Sequence, residues 1–378
     1  MAKKTLAQAL ADLRKKSVDV GPLSDFNMEV DAISTGNVAL DLITGVGGIP
    51  KGRITELFGL PSSGKTTTAL QAAATLQMQG GTTLYLDYEQ SLDPVYCKAL
   101  GLDTTAPTFL YMRPRSFEEG ANAFRHLNET GEIRLLVVDS VARMVTESEL
   151  SADTGKVTFA DRAKMMHQFM RQIVGPIQES ATAVIFLNHV LEVVDTSPMG
   201  QQLKARGVSR RTTPGGAALK YYSSLRMEFK QIGNLRTEVL DPLTNEKSAT
   251  IRQTKVEVTV VKNKVGDPFK KAELRVRFGQ GFSQAWTVID ILTAYGVLKK
   301  ETGGVYRLAP EVASPHALDK PWIKGEDNMV TAVESDPDWL AKLTILARET
   351  LEANMVTADP TQYDADGEPA DIDAILEG

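Results

Sequence analysis

The chain has 378 residues, 42% of them hydrophobic and 24% charged, a composition typical of a globular protein with a sizeable core. It lacks a run of about 18 apolar residues, which argues against a membrane span. Its single cysteine, Cys97, excludes an intrachain disulfide and a cysteine metal cluster, and it suits a reducing cytoplasm. The net charge of −6 argues weakly against a permanently basic nucleic-acid binder, although acids and bases can be segregated along a chain.

The N-terminus predicts an amphipathic helix rather than a signal peptide, because no uninterrupted apolar stretch follows its basic residues. Residues 3–16 carry an apolar stripe at helical spacing, formed by Leu6, Leu10 and Leu13. A Gly-Pro pair at 21–22 then breaks the pattern. We interpret residues 1–30 as a helical arm and linker, which either packs on the protein's own core or docks on a neighbouring subunit.

Apolar runs alternate with helical stretches through residues 31–280. The runs are "RITELFG", "TTLYLDYE", "IRLLVVDS", "ATAVIFLNH", "SLRMEF" and "KVEVTVVKNK". Continuous apolar runs separated by helices indicate a parallel sheet covered on both faces. The first four runs lead into polar residues with chemical potential, and ligands of such sheets bind beyond the carboxyl ends of the strands. The sequence therefore predicts an α/β fold with one site at that edge.

The end of the chain differs from this pattern. Residues 281–357 carry two helical patterns, "VIDILTAYGVLKK" and "DPDWLAKLTILARETLEAN", around a short strand "GGVYRLA", and we interpret them as a small C-terminal α/β domain. Residues 358–378 contain seven acidic residues and no Lys or Arg, which predicts a disordered acidic tail.

The segment "GLPSSGKTT" fits the phosphate-loop pattern G-x-x-x-x-G-K-[ST], between a strand and a helix as that pattern requires. Its glycines permit backbone conformations that turn N–H groups toward a phosphate. Lys65 supplies a charge to the β- and γ-phosphates of ATP, and the Thr66 hydroxyl is a ligand for Mg²⁺. The predicted nucleotide contacts in this segment are Gly59, Pro61, Ser62, Ser63, Gly64, Lys65, Thr66 and Thr67. Kinases, pumps, helicases and recombinases all use such a loop.

Two carboxylates follow neighbouring predicted strands. Asp139 ends the run "LLVVD", which is the Walker B pattern, and can hold Mg²⁺ through water with help from Ser140; the alternative is a cap for the next helix. Glu89 follows "LYLDY" and can polarise the water that attacks the γ-phosphate, or it is a solvated residue at a strand end. Asp93 and Tyr96, further along, are candidates to contact and stack on a purine.

The longest stretch without a predicted element follows His189, and loops beyond about 12 to 15 residues tend to be functional or disordered. Residues 200–214 contain four cations and no acid: Lys204, Arg206, Arg210 and Arg211. Glycine amides and Ser/Thr hydroxyls complete a surface suited to phosphodiesters. A second loop near 149–162 leaves the same sheet edge, so γ-phosphate status would control loop order. His189 is placed to sense the γ-phosphate, unless it is a core histidine.

Lys262 and Lys264 close an alternating strand and share one of its faces. Such a pair is either a solvated face or a phosphate clamp that reaches ATP on a neighbouring subunit, in the manner of an arginine finger.

Taken together, these motifs resemble the bacterial and phage RecA recombinase family over residues 30–280. They include "ISTGNVALDLITGVGGIPKGRITELFGLPSSGKTT", "LDYEQSLDPVY", "LLVVDSVARM", "FLNH", "TTPGGAALKYYSSLR" and "VVKNKVGDPFKKAE". The resemblance implies a RecA-like P-loop ATPase core, and a DNA-dependent ATPase that polymerises on single-stranded DNA as a helical filament. It implies pairing with homologous double-stranded DNA and strand exchange in recombination and repair, in the cytoplasm, beside single-strand-binding and mediator proteins.

The resemblance also implies roles for individual residues. Glu89 would be the catalytic carboxylate, acting with Lys65 and His189, while Asp93 and Tyr96 would contact adenine. The lysines at 262 and 264 would reach ATP across a subunit interface. Residues 150–159 and 190–214 would be the DNA-binding loops, with Gly215 and Gly216 at the end of the second, and residues 3–16 would dock on the next protomer.

Two features depart from the bacterial pattern. The position of His189 is usually Gln in bacterial members and His in the phage UvsX type, and the long loop is longer and more basic than usual. They favour a phage-encoded member, located in the cytoplasm of its host. The alternative function is a hexameric helicase or recombination mediator with the same core. The single cysteine argues against a zinc module, and about 30 residues before the core leave little room for a ring-assembly domain.

Overall fold

The structure is a computed structural model that describes residues 5–15, 20–22, 29–151, 159–192, 211–240, 247–316 and 320–354. The chain divides into two compact units, Met1–Asp31 and Ala32–Gly378. The first unit contains helix α1, Leu6–Arg14, as the leucine spacing predicts. A capping box starts this helix: the Thr5 hydroxyl accepts a hydrogen bond from the Gln8 N–H at 3.3 Å, and the Gln8 side chain accepts one from the Thr5 N–H at 3.0 Å.

The described helices of the second unit share one chain order with its strands. Its helices are α2 Val38–Ile43, α3 Lys65–Met78, α4 Pro94–Ala99, α5 Phe117–Asn128, α6 Glu147–Ser151, α7 Phe159–Glu179, α8 Gly216–Tyr222, α9 Gln284–Ala294, α10 Glu326–Glu334 and α11 Pro337–Asn354. Its strands are β1 Ala32–Ile33, β2 Ile49–Pro50, β3 Ile54–Gly59, β4 Thr82–Asp87, β5 Phe109–Met112, β6 Ile133–Asp139, β7 Ala183–His189, β8 Leu191–Glu192, β9 Arg211–Thr212, β10 Leu225–Leu240, β11 Lys247–Asn263, β12 Lys271–Arg277, β13 Gly281–Phe282, β14 Lys299–Glu301, β15 Val305–Arg307 and β16 Trp322–Lys324.

Nine strands form one mixed sheet in the order β13-β12-β11-β10-β3-β7-β6-β4-β5. The pairs from β10 through β5 are parallel, and β10 to β13 pair antiparallel. The predicted α/β class with a mostly parallel sheet is therefore confirmed. The central strands are continuous apolar runs because helices cover both faces of the sheet.

Alternate residues of the central strands enter two separate cores. On β6, Leu135 and Val137 contribute to the core that contains α3, whereas Leu136 and Val138 contribute to the core that contains α5 and α7. This two-residue alternation is the geometry of a strand buried on both faces. It leaves the carboxyl ends of β3, β4, β6 and β7 at one edge of the sheet.

The C-terminal part contains a small antiparallel sheet, in the order β14-β15-β16, with helices α9, α10 and α11. Trp286 and Trp339 of these helices belong to the same hydrophobic core as α3. The predicted helix "VIDILTAYGVLKK" is wrong in its second half. It ends at Ala294 because Gly296 adopts a left-handed conformation, with φ of 73°, and the two lysines that follow lie in β14.

Both predicted loops are shorter than expected. The interval 149–162 begins in α6 and ends in α7, and the ends of the longer loop pair as the short ladder β8–β9. The central parts of these loops, residues 152–158 and 193–210, lie outside the described residues, as does the acidic tail. Among the described residues, no helix combines the length and apolar character needed to cross a membrane.

Candidate nucleotide-binding site

The phosphate loop lies between the end of β3 and the start of α3, and its two glycines are required by close packing. A Cβ on Gly59 would lie 2.1 Å from the Phe229 carbonyl oxygen. Gly64 has a φ of 93°, and a Cβ there would lie 2.9 Å from the Phe282 ring. Larger residues at either position would move the loop away from the sheet.

Lys65, the first residue of α3, is buried beneath the loop. Its Nζ donates to the carbonyl oxygens of Gly59 at 3.1 Å and Leu60 at 2.8 Å, and to Ser63 Oγ at 3.4 Å. Burial lowers the pKa of Lys65 to about 8, against the opposing effect of the nearby Asp139 and Glu89 carboxylates. The cation is thus held by weak neutral acceptors, which a phosphate can replace.

Asp139, at the end of β6, forms the candidate metal site with Thr66. Asp139 Oδ2 accepts hydrogen bonds from Tyr85 Oη at 2.7 Å and from Thr66 Oγ1 at 3.2 Å. Burial raises the pKa of Asp139 to about 6, the charges of Glu89 and Asp87 act in the same direction, and the two hydroxyl hydrogen bonds oppose them.

Ser140 supplies a further test of this site. Its Oγ is buried and has no hydrogen-bond partner among the described residues. A hydroxyl in that state lacks a partner that water or a hydrated ion supplies. Carboxylate, hydroxyl and water oxygens are the ligands that Mg²⁺ prefers. The residues present therefore fit Mg²⁺.

Glu89 and His189 meet although β4 and β7 are separated by β6. Glu89 Oε1 lies 3.2 Å from His189 Nε2, and both side chains are about one-quarter exposed, at 24% and 22%. The His189 N–H donates to Asn188 Oδ1 at 2.9 Å. Arg143, which sequence reasoning missed, places Nε 3.9 Å from the same Glu89 oxygen while its side chain stays 68% exposed.

A buried polar network continues from this pair into the sheet. Asn188 Nδ2 donates to Glu56 Oε1 and to the Pro214 carbonyl oxygen, at 2.8 Å each. Glu56 Oε2 accepts from Arg226 Nε at 2.6 Å, and both charged side chains are fully buried. Removing one member of such a pair typically costs about 3–5 kcal/mol. The network anchors both ends of the long loop, at Asn188 and Pro214, to the strand that precedes the phosphate loop.

A cavity of about 590 Å³ joins these groups. The predicted residues that line it are Pro61, Ser62, Ser63, Gly64, Lys65, Thr66, Thr67, Glu89, Asp93, Tyr96, Asp139 and His189. Tyr96 Oη lies 2.7 Å from Thr67 Oγ1, and Asp93 caps α4 by accepting from the Val95 N–H at 2.8 Å. Ser140 also lines the cavity, and Gly59 shapes the loop without lining it.

Sequence reasoning missed one wall of this cavity, the turn between β12 and β13. Arg277, Phe278 and Gly279 line the cavity from that turn. Gln71 of α3 fixes the turn by exchanging two hydrogen bonds with the Phe282 backbone, both 3.0 Å long. The glycines of "FGQGF" signal a turn, but they do not signal contact with a helix about 200 residues earlier.

The other predicted residues lie away from this cavity or beyond description. Lys262 Nζ donates to the Lys220 carbonyl oxygen at 2.5 Å, and Lys264 Nζ to that of Tyr221 at 3.2 Å, at the end of α8. The glycines at 215 and 216 start α8 and line a separate cavity of about 300 Å³. Arg211 pairs with Glu192 through the backbone. Lys204, Arg206 and Arg210 lie outside the described residues.

Comparison with known proteins identifies the family. Residues 3–283 match the family model described as the RecA N-terminal domain. The chain belongs to the RecA family. It is 34% identical to Protein RecA of Aquifex aeolicus over 351 residues, which is 92% of each chain. It is 33% identical to Protein RecA of Rhodopseudomonas palustris over 376 residues, 97% of each, and 37% identical to that of Aquifex pyrophilus over 301 residues, about 80% of each.

Proposed function

We propose that this RecA-family protein is a DNA-dependent ATPase and homologous recombinase that forms a filament on single-stranded DNA, pairs it with homologous duplex and exchanges strands. The observation that carries the proposal is the 3.2 Å contact between Glu89 and His189. It joins the candidate hydrolytic carboxylate to the first residue before the long basic loop. A hydrolytic group and a candidate DNA-binding segment then respond to the same phosphate.

ATP binding uses the groups around the cavity. Lys65 Nζ leaves its backbone acceptors for the β- and γ-phosphates, and Tyr96 with Phe278 provides aromatic surface for the adenine. Bound Mg²⁺, held by Thr66 and Asp139, would neutralise phosphate charge during transfer. Glu89 orients a water molecule and accepts its proton at a carboxylate oxygen.

His189 couples this chemistry to DNA. A γ-phosphate offers His189 a stronger acceptor than the neighbouring carboxylate shares with it, so the imidazole changes partner when ATP is bound or hydrolysed. The adjacent Asn188 contacts Pro214, which ends the loop. Loop order, and with it the DNA affinity of Lys204, Arg206, Arg210 and Arg211, therefore follows nucleotide state.

Assembly completes the site. The lysines at 262 and 264 contact carbonyls at the end of α8 in one chain, where they are available to shift to ATP bound by the next protomer. The arm of residues 1–30 would dock on that protomer, residues 281–357 would form the small C-terminal domain, and residues 358–378 the acidic tail. We place the protein in the cytoplasm with single-strand-binding and mediator proteins as partners.

Negative-stain microscopy with single-stranded DNA, with and without a non-hydrolysable ATP analogue, tests the proposal. Helical nucleoprotein filaments that require the analogue support it, whereas six-membered rings would support the helicase alternative. In parallel, the variant Arg210→Ala with Arg211→Ala should weaken DNA binding and reduce the salt slope by about 2, since each lost phosphate contact releases about one fewer counterion. An unchanged slope would remove these arginines from the interface.

The lowered pKa of Lys65 predicts a pH-dependent step in ATP binding. Below pH 8 the amine is charged before the nucleotide arrives, so affinity stays constant; above pH 8 the free protein holds a neutral amine and affinity falls as the pH rises. Binding near pH 8 should then take up part of a proton, measurable by calorimetry in buffers of different ionisation enthalpy. Lys65→Arg, which stays charged, should show no such uptake.

A further inference from the structure

The turn that carries Glu89 is closed by Asp87, the last residue of β4. The Asp87 side chain is buried, with 1% of its surface exposed. Its Oδ1 accepts from the Gln90 N–H at 2.7 Å and its Oδ2 from the Leu92 N–H at 3.2 Å. Gln90 has a φ of 56°, a left-handed conformation that non-glycine residues rarely adopt. The carboxylate stabilises this turn through its two charge-assisted hydrogen bonds.

A second anchor fixes the same turn from the other side. The backbone N–H groups of Tyr88 and Glu89 both donate to the Asp139 carbonyl oxygen, at 2.6 and 3.1 Å. The backbone of Glu89 is therefore held between β6 and the Asp87 carboxylate. Its side chain can reach His189 only while that turn keeps its shape.

Asp87 is in turn held from the surface of the sheet. Tyr111 Oη lies 3.0 Å from Asp87 Oδ2, and Arg113 Nε donates to the Tyr111 oxygen at 2.6 Å. Because the arginine occupies the phenol oxygen as an acceptor, the single hydroxyl proton is directed to Asp87. Tyr111 lies on β5, the outer strand of the sheet, and is 39% exposed.

We propose that Arg113, Tyr111 and Asp87 form a positioning relay for Glu89. The inference rests on the proposed function, because it takes Glu89 as the hydrolytic carboxylate. None of the three relay residues is among the described residues that line the nucleotide cavity. The relay therefore contributes to the turnover rate and leaves ATP binding nearly unchanged.

Steady-state ATPase measurements on the full chain with single-stranded DNA test the relay. Tyr111→Phe removes one hydroxyl, and we expect kcat to fall about threefold with KM unchanged, as for a partly exposed hydrogen bond. Asp87→Asn places an amide N–H₂ against groups that need an acceptor, and we expect kcat to fall about 30-fold. In the Asp87→Asn background, Tyr111→Phe should have no further effect, because the two residues act in one chain of contacts.

Two matched variants separate positioning from general destabilisation. Tyr295→Phe alters a tyrosine of nearly equal exposure, 38%, that contacts the end of α11. Asp41→Asn alters another buried carboxylate that holds a turn, through the Thr35 N–H at 2.7 Å. Both should keep kcat within twofold of the unmodified protein. If Asp87→Asn does not fold, the kcat and KM of Tyr111→Phe decide the matter.

The relay is overturned if Tyr111→Phe keeps full kcat, if KM rises in proportion to the loss, or if the effects of Tyr111→Phe and Asp87→Asn simply add. These outcomes leave the proposed function intact, since DNA-stimulated hydrolysis by the unmodified protein would persist. Absence of that hydrolysis in the unmodified protein would instead overturn the proposed function, and the relay with it.

Discussion

Lys65→Ala should reduce ATP turnover by at least about 100-fold, the cost of removing one preorganised donor from a site of developing charge. The Lys65 Nζ lies beneath the loop against two carbonyl oxygens, close to the candidate metal site at Asp139. No other lysine or arginine among the described residues both lines the cavity and belongs to the phosphate loop. DNA binding should consequently lose its dependence on ATP, measured by fluorescence anisotropy with and without nucleotide.

Lys342→Ala is the matched control for this variant. Lys342 Nζ also donates to two backbone carbonyls, those of Pro310 at 3.2 Å and Ala313 at 2.8 Å, but in the C-terminal part of the chain. Its loss should leave turnover within twofold. DNA-stimulated hydrolysis that survives Lys65→Ala at the unmodified rate would refute the nucleotide assignment.

The sequence predicted the sheet and most of the site because their signals are local. The phosphate-loop spacing, the apolar run before Asp139 and the polar ends of neighbouring strands each lie within a few residues of the group they identify. Parallel strands then bring those ends to one edge, so the convergence of Lys65 and Asp139 on one cavity follows from the fold class.

What escaped prediction depends on long-range packing. Phe278 reaches the cavity because its turn is tied to Gln71, and Arg143 approaches Glu89 only after the chain has left β6. The pairing of Leu191 with Thr212 likewise joins residues on either side of the long loop, where local periodicity carries no signal. The helix end at Gly296 was locally readable, since a glycine after an apolar helix commonly terminates it.

Glu89→Gln separates binding from hydrolysis. The amide preserves the shape of the side chain but cannot accept a proton from water, and loss of such a group typically lowers the rate by about 10²–10⁴-fold. ATP affinity should stay within about threefold, because Lys65, Thr66 and the loop backbone are unchanged and one negative charge near the phosphates is removed. Rapid-quench hydrolysis measures the rate, and equilibrium binding of a fluorescent ATP analogue measures the affinity.

The same change should convert ATP into a trapping ligand. If hydrolysis releases DNA, Glu89→Gln filaments formed with ATP should persist as long as unmodified filaments formed with a non-hydrolysable analogue. Glu257→Gln is the matched control, because Glu257 is 23% exposed against 24% for Glu89 and has a cationic partner, Lys271, at 3.3 Å. Unimpaired turnover in Glu89→Gln would mean that another group activates the water, and Arg143 and His189 would then act on the phosphate without that carboxylate.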